Sequence, residues 1–172
     1  MTKILGTTAM AGLVLLATSA SGAMLSAGAP FPAWTLSDQT GQQVSSKDLA
    51  GKTYLLWFYP KAMTPGCTAE GDALRAQMAV FKDRGVEILG VSFDTPATNA
   101  AFAKQESFPF RLLSDTDRTL ATAVGAADSP SQSTAKRISY LVGPDGKVLK
   151  AYGSVDPNHH ADEVLQDLPP KH

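Results

Sequence analysis

The chain of 172 residues has a single cysteine, Cys67. One sulfur cannot form an internal disulfide, and Glu70 occupies the position where the Cys-x-x-Cys site of a dithiol oxidoreductase has its second thiol. Cys67 is therefore either a small buried apolar side chain or a reactive thiol whose partner lies outside the chain. The surrounding residues decide between the two.

A charge excess of either sign is also lacking. The 15 lysines and arginines nearly balance the 16 aspartates and glutamates, which gives a formal net charge of −1 at pH 7. Such a surface has no extended field to hold nucleic acid or an anionic membrane, so we expect neither as a partner. A small, diffusible substrate suits it better.

Charged residues are absent from residues 4–29, which follow Lys3. The apolar centre of this stretch is residues 10–17, and small residues come after it. A basic start, a short apolar run and small residues at a cleavage point are typical of a secretory signal peptide, which we assign to residues 1–23. The alternative is an uncleaved membrane anchor, because the uncharged stretch is long enough to span a bilayer. We expect export to the periplasm, with no stable membrane association once the peptide is removed.

Beyond Pro30 the chain alternates short apolar runs with helical patterns, which indicates one domain over residues 30–172. Continuous apolar runs predict buried strands, and apolar residues spaced by three and four predict helices. The predicted elements are an N-terminal hairpin at 34–44, strand 54–59, helix 68–84, strand 86–92, helix 95–106, strand 110–113, helix 116–124, a polar loop at 125–134, a hairpin at 138–152 and helix 159–168. This order predicts an α/β domain of thioredoxin-like type, with a central mixed sheet flanked by helices and an N-terminal β-hairpin.

Cys67 stands where a helix is expected to begin. Thr64, Pro65 and Gly66 precede it, and good helix formers follow. A sulfur at the first turn of a helix faces unpaired backbone N–H groups and the positive end of the helix dipole, both of which favour the thiolate.

A thiolate in this position suits the reduction of a peroxide. It attacks one oxygen while the other leaves as hydroxide or alkoxide, so the site has to stabilise negative charge at both ends of the reaction. The backbone N–H groups of Gly66 and Cys67 meet part of this need. The Thr64 hydroxyl is able to accept from the thiol or donate to a peroxide oxygen.

Such a site also needs a fixed cation, and Arg137 is the best placed. Arginine is always charged and carries several donors in one plane. Arg137 begins the strand predicted at 138–142, which is expected to lie beside the strand leading into the cysteine loop. Lys61 is closer in sequence, but its flexible stem orients the charge poorly.

The spacing Pro60-x-x-x-Thr64-x-x-Cys67 resembles the active-site motif of the peroxiredoxins, and the surrounding residues are similar to the bacterioferritin-comigratory, or Q-type, subgroup. The resemblance implies a thioredoxin-like fold and thiol-dependent reduction of hydrogen peroxide and organic hydroperoxides, without a metal or organic cofactor. It makes Cys67 the peroxidatic nucleophile, with Thr64 and Arg137 as peroxide-binding and thiolate-stabilising groups. It also implies that Pro60 shields the sulfur from solvent and that Glu70 orients the polar network of the site.

The chain departs from the subgroup in its cysteine content. Many members carry a resolving cysteine five residues after the first, where Asp72 stands in this chain, and others carry it on the next helix. The sequence therefore predicts a one-cysteine enzyme whose sulfenic acid is resolved by an external thiol, which is thioredoxin-like, glutaredoxin-like or a small molecule. We expect a monomer or weak dimer.

Several alternatives remain open. One alternative interpretation of Arg137 is only a charge at a strand end, and one of Glu70 is only an acidic residue favoured in a first helical turn. The adjacent His159 and His160 suggest a metal pair, but neighbouring side chains diverge at a helix start, so solvated histidines are expected. The alternative functions are an exported thioredoxin-like protein that exchanges disulfides and one that binds copper through Cys67 and a histidine.

Overall fold

The computed structural model describes residues 22–169. Within this range the strands are β1 (Thr35–Asp38), β2 (Gln43–Ser45), β3 (Thr53–Phe58), β4 (Val86–Ser92), β5 (Arg111–Ser114), β6 (Ile138–Val142) and β7 (Val148–Tyr152). They form one sheet in the order β2-β1-β5-β4-β3-β6-β7. The helices are α1 (Pro65–Ala76), α2 (Met78–Asp83), α3 (Pro96–Glu106), α4 (Thr119–Ala123) and α5 (His160–Asp167), and a short 3-10 helix spans Ser46–Leu49.

The predicted architecture is confirmed, since the sheet is mixed, is flanked by helices and opens with the antiparallel hairpin of β1 and β2. β3 lies between β4, to which it is parallel, and β6, to which it is antiparallel. The predicted pairing of strand 138–142 with the strand before the cysteine loop is therefore confirmed as well. Phe58 pairs with Ile138, and this register brings Arg137 level with the residue that follows β3.

Two apolar clusters lie on opposite faces of the sheet, because successive side chains of a strand point to opposite faces. On β3, Leu56 and Phe58 belong to one cluster, and Leu55 and Trp57 belong to the other. α4 covers the first face, while α1, α2, α3 and α5 each contribute a buried apolar side chain to the second. Cys67 belongs to this second cluster.

The single helix predicted over residues 68–84 is wrong in two respects. α1 begins earlier, at Pro65, and Gln77, with φ −95° and ψ 6°, separates it from α2. The break lets the helices pack differently, because α1 contacts α5 whereas α2 contacts β4. Leu74 and Phe81 are nevertheless both fully buried, so the apolar spacing in the sequence did not reveal the break.

The residues around α4 also depart from the prediction. The stretch 125–134, predicted as a polar loop, begins with Ala126 and Ala127, which are fully buried. α4 is shorter than the helix predicted over residues 116–124. Asp115 explains its late start, because the Asp115 carboxylate accepts hydrogen bonds from two N–H groups of the first turn of α4.

The segment 22–29 packs along the sheet near β7, where the Gly28 N–H donates to the Val148 carbonyl at 2.8 Å. Nearly all of the predicted signal peptide, residues 1–23, lies outside the described residues. Within the described part of the chain, no helix is both long enough and apolar enough to cross a bilayer.

Candidate active site

The loop from β3 to α1 ends in a helix start built by Thr64 and Pro65. Thr64 is extended, with φ −98° and ψ 150°, and Pro65 takes the first helical position, where a missing N–H costs no hydrogen bond. The Thr64 hydroxyl donates to the Lys61 carbonyl at 2.8 Å and makes no capping bond to the helix. The N–H groups of Gly66 and Cys67 therefore receive no side-chain acceptor from the N-cap and belong to the first turn of the helix, where an anion is favoured.

Arg137 bridges the thiol and a buried carboxylate. Its Nη2 donates to the Cys67 Sγ at 3.4 Å, and its Nη1 donates to Glu70 Oε2 at 2.5 Å. The guanidinium side chain is 21% exposed, and the Glu70 side chain is fully buried. The planar guanidinium of Arg137 thus joins α1 to the start of β6. The interpretation of Arg137 as a solvated charge at a strand end does not fit this position.

Glu70 lies in the second turn of α1 and not in the first, so its place is not explained by the helix dipole. Burial raises the pKa of Glu70 to about 7, and the hydrogen bond from Arg137 offsets part of this rise. Burial lowers the pKa of Arg137, but the adjacent Cys67 and Glu70 more than offset this, so its pKa is raised and it remains a cation.

The Cys67 sulfur is not open to solvent in this structure. Cys67 is 0% exposed and lies within the apolar cluster of the second sheet face, yet it contacts a partly exposed guanidinium. A peroxide or an external thiol therefore reaches the sulfur only if the residues around it move, and a protein thiol, being larger, needs the wider opening.

Of the five residues proposed from the sequence, three are joined through Arg137, which contacts both Cys67 and Glu70. Pro60 and Thr64 lie in the loop that precedes α1, and both are partly buried. The hydroxyl hydrogen of Thr64 is donated to the loop, so the oxygen is left to accept a hydrogen bond from a peroxide O–H.

Asp72, which stands where many members of the subgroup carry the resolving cysteine, forms an ion pair. Asp72 lies 3.0 Å from Arg75 on the same face of α1, and both side chains are about two-fifths exposed. An exposed pair of this kind contributes little to stability. Because Asp72 carries a carboxylate and not a thiol, it does not replace the resolving cysteine in the second half of the reaction.

Gly66 makes room for the guanidinium. A Cβ added at Gly66 would lie 2.9 Å from Arg137 Nη2, which is closer than an ordinary contact. We expect Gly66→Ala to displace Arg137 and slow peroxide reduction about tenfold, because small misplacements of a reacting group are costly. Alanine is a better helix former than glycine, so thermal stability should be unchanged or higher. Stopped-flow rates and thermal denaturation check this, and an unchanged rate would contradict it.

Sequence reasoning missed a polar cluster at the ends of β3 and β4. Asp94 Oδ2 accepts a hydrogen bond from the Ala62 N–H of the cysteine loop at 2.9 Å. The buried Tyr59 hydroxyl donates to Asn99 Oδ1 at 2.7 Å. A usable signal was present in the sequence, since polar residues follow an apolar strand there, and sites form at the carboxyl ends of parallel strands.

The expectation that both histidines are solvated is wrong for His160. His159 is exposed and pairs with Asp156 at 2.8 Å, whereas His160 is 0% exposed, and its Nε2 lies 2.9 Å from the Ser139 hydroxyl. This contact ties α5 to β6 near Arg137. Burial lowers the pKa of His160 to about 4, and the charge of Arg137 adds to the effect. Among residues 22–169, no group of three or more His, Cys, Asp or Glu side chains is placed to hold a metal ion.

The buried His160 predicts a dependence of stability on pH. Its pKa is about 6.5 in the unfolded chain and about 4 in the folded chain. Between these values the unfolded chain binds the proton and the folded chain does not. We therefore expect the free energy of unfolding to fall by about 3 kcal/mol, relative to His160→Asn, as the pH is lowered from 7 to 4. Denaturant titrations of the parent and of His160→Asn measure the difference in their free energies of unfolding at each pH. Taking this difference removes the contributions of Glu70 and Asp115, which change with pH in the opposite direction. A difference that stays constant with pH would contradict the prediction.

Known proteins have sequences similar to that of this chain. Residues 27–151 match the model of the AhpC/TSA family. Peroxiredoxin Bcp of Escherichia coli K12 is 39% identical over 149 residues, which cover 84% of this chain and 96% of the relative.

Two solved structures show the same similarity. Peroxidoxin BcpB from Mycobacterium tuberculosis superposes with a TM-score of 0.77 at 32% identity, covering 83% of this chain and 95% of that protein. The bacterioferritin comigratory protein of Xanthomonas campestris, described for its alkyl peroxide reduction activity, gives a TM-score of 0.73 at 34% identity, covering 78% of this chain and 89% of that protein.

The sequence match spans most of the chain, and the fold agrees over the same region. The cysteine at the start of α1, with an arginine against its sulfur, is the arrangement that thiol-based peroxide reduction requires. The chain therefore belongs to the AhpC/TSA family and is a peroxiredoxin, a thiol-dependent peroxidase.

Proposed function

We propose that this peroxiredoxin works with one cysteine and reduces hydrogen peroxide and organic hydroperoxides through a sulfenic acid that an external thiol resolves. The observation that carries the proposal is the contact at 3.4 Å between Arg137 Nη2 and the sulfur of Cys67, which is the only cysteine in the chain. Acceptance of organic hydroperoxides is supported by the alkyl peroxide reduction described for the Xanthomonas campestris relative.

The first half-reaction uses the thiolate of Cys67. The sulfur attacks one peroxide oxygen, the O–O bond breaks, and the other oxygen leaves as hydroxide or alkoxide and takes up a proton to become water or an alcohol. Arg137 stabilises the thiolate and then the charge on the leaving oxygen, together with the N–H groups of α1. Thr64 accepts a hydrogen bond from the peroxide, Pro60 shields the sulfur, and Glu70 fixes the orientation of Arg137.

The second half-reaction takes its thiols from outside the chain. An external thiolate attacks the sulfenic sulfur of Cys67, the S–O bond breaks, hydroxide leaves and takes up a proton to become water, and a mixed disulfide forms. A second external thiol then attacks that disulfide and releases reduced Cys67. The reductant is a thioredoxin-like protein, a glutaredoxin-like protein or a small thiol.

Stoichiometry tests the proposal. Purified protein mixed with excess hydrogen peroxide should rapidly consume about one equivalent per chain without a thiol, and should turn over many times when dithiothreitol is added. Mass spectrometry should find the first oxygen on Cys67. Rapid catalytic turnover without any thiol, or no consumption in either case, would overturn the one-cysteine scheme.

We also propose that the protein is exported to the periplasm. The support is the uncharged stretch 4–29 with its basic start at Lys3 and its apolar centre at 10–17. Protein isolated from an exporting host should then begin near residue 21 or 24 and should be recovered outside the membrane. An intact Met1 in the membrane fraction would favour an uncleaved anchor.

A monomer or weak dimer is the proposed state of assembly. The large apolar side chains exposed on the described residues are Met63, Val80 and Leu149, and they belong to three different segments. Scattered apolar residues do not form the contiguous patch of an obligate interface. Sedimentation of the purified protein over a range of concentrations tests this proposal.

A further inference from the structure

The loop that leads into α1 and Cys67, residues 60–64, has an irregular shape that requires support. Met63 has φ +60°, in the left-handed region that residues other than glycine rarely adopt, and its side chain is 44% exposed. Within the loop, the Thr64 hydroxyl donates to the Lys61 carbonyl. This internal bond shapes the turn but does not attach it to the rest of the protein.

Asp94 attaches this loop to the sheet. The Ala62 N–H donates to Asp94 Oδ2 at 2.9 Å, and Ala62 is 5% exposed. Asp94 lies two residues beyond the end of β4, which is paired with β3 along its length. The bond thus joins the middle of the loop before Cys67 to the end of the neighbouring strand.

The carboxylate is itself held in place. The Ser92 hydroxyl donates to Asp94 Oδ2 at 2.9 Å, and the Asp94 N–H donates to the Ser92 oxygen at 3.2 Å. Ser92 is fully buried, and its oxygen lies 3.4 Å from Asn99 Oδ1. The Asp94 carboxylate is therefore a pre-positioned acceptor, since Ser92 holds it in place independently of its hydrogen bond to the loop.

Behind Ser92 the network continues into the core. Asn99 on α3 accepts the Tyr59 hydroxyl at 2.7 Å and donates to the Ser114 hydroxyl at 3.2 Å. Asn99 and Tyr59 are 0% exposed, and Ser114 is 7% exposed. The ends of β3, β4 and β5 are thus cross-linked by buried hydrogen bonds, which gives the Asp94 anchor a rigid base.

We propose that Asp94 is a positioning residue that keeps the loop 60–64 closed over Cys67, and so favours attack on peroxide over access of a large thiol. The proposal rests on the proposed function for the part played by the external thiol. Cys67 is 0% exposed while the loop is closed, so a protein thiol reaches the sulfur only when the loop and the adjoining turn of α1 open. Loss of a hydrogen bond to a charged acceptor is expected to raise the open population by about tenfold.

The test compares Asp94→Ala with Asp94→Asn in the full-length protein. The asparagine oxygen still accepts from the Ala62 N–H, whereas alanine does not. The first measurement is the rate at which a polymer-bearing maleimide modifies reduced Cys67 under native conditions. We expect about a tenfold faster reaction for Asp94→Ala and a rate within about twofold of the parent for Asp94→Asn.

The second measurement is the stopped-flow rate of Cys67 oxidation by hydrogen peroxide. We expect it to fall by about tenfold in Asp94→Ala and to recover in Asp94→Asn, because the open loop no longer places the groups that surround the sulfur. Opposite effects on the two rates are the signature of a shifted loop. A residue with a merely structural role would lower stability without this opposition, so denaturant midpoints are recorded for every variant.

Two further variants keep the outcome decisive. Asp145→Ala removes an exposed carboxylate from the β6–β7 turn and should leave both rates unchanged. Ser92→Ala removes a donor that fixes Asp94 and decides the question if Asp94→Ala does not fold, since it should also speed modification by the maleimide. The proposal would be overturned by equal maleimide rates for the parent and for Asp94→Ala, or for Ser92→Ala where Asp94→Ala does not fold. It would also be overturned by an Asp94→Asn rate as fast as that of Asp94→Ala. The maleimide assay needs no peroxide, so its result is independent of whether the proposed peroxidase scheme holds.

Discussion

Replacing Cys67 with serine should abolish peroxide consumption. The serine hydroxyl occupies nearly the same volume but does not ionise at neutral pH, so no nucleophile remains to attack the O–O bond. We expect the catalysed rate to fall on the order of 10⁴-fold or more, to the background of the added thiol. A coupled assay with dithiothreitol and either hydrogen peroxide or an organic hydroperoxide measures this fall.

The control for this variant is its fold. Cys67 is fully buried among apolar side chains, and a serine there still has Arg137 within reach as a hydrogen-bond donor. The circular dichroism spectrum and the denaturant midpoint should therefore stay close to those of the parent. A folded Cys67→Ser protein that keeps its peroxidase activity would show that the chemistry lies elsewhere.

Replacing Arg137 with alanine should have the second largest effect. The variant loses the donor that contacts the sulfur at 3.4 Å and with it the charge that we propose stabilises the leaving oxygen. Removal of one such donor typically costs a factor of about 10²–10³ in rate. The second-order rate of Cys67 oxidation, measured by stopped flow, should fall by about this factor.

Two variants separate this effect from others. Lys61→Ala removes an exposed cation from the loop 60–64. It should change the rate of Cys67 oxidation by less than about threefold, since exposed charges are screened. The loss of Arg137 also leaves Glu70 buried without its partner, which lowers stability. Combining Arg137→Ala with Glu70→Gln removes that carboxylate. A stable double variant with the parent rate would remove Arg137 from the mechanism.

The order of elements and the contacts of the central strand were predictable because they follow from local patterns. The apolar run ending at Phe58 and the apolar run beginning at Ile138 each predict a buried strand, and the known topology of such alternating units makes them neighbours. The helix start at Cys67 was likewise visible in Thr64 and Pro65, whose backbone preferences are local. The elements themselves depend on residues close together in the chain, and the pairing of β3 with β6 follows from the topology that joins them.

The remaining features depend on tertiary contacts, which sequence patterns do not encode. The break at Gln77 lets α1 and α2 pack on different partners, and the apolar spacing of the sequence continues across it without a sign of the change. His160 has the polarity of a surface residue, and only its pairing with Ser139 on β6 explains its burial. Asp94 was missed because its role depends on Ala62, which lies 32 positions earlier in the chain.

The most direct test of the central claim is the second-order rate of oxidation of Cys67 by hydrogen peroxide in the reduced, full-length protein. We propose that the start of α1 and Arg137 stabilise the negative charge on the attacking sulfur and on the leaving oxygen, so the rate should exceed that of free cysteine at the same pH by at least about 10²-fold. The product should be a sulfenic acid on Cys67 that dimedone traps. A rate equal to that of free cysteine, with no trapped adduct, would contradict it.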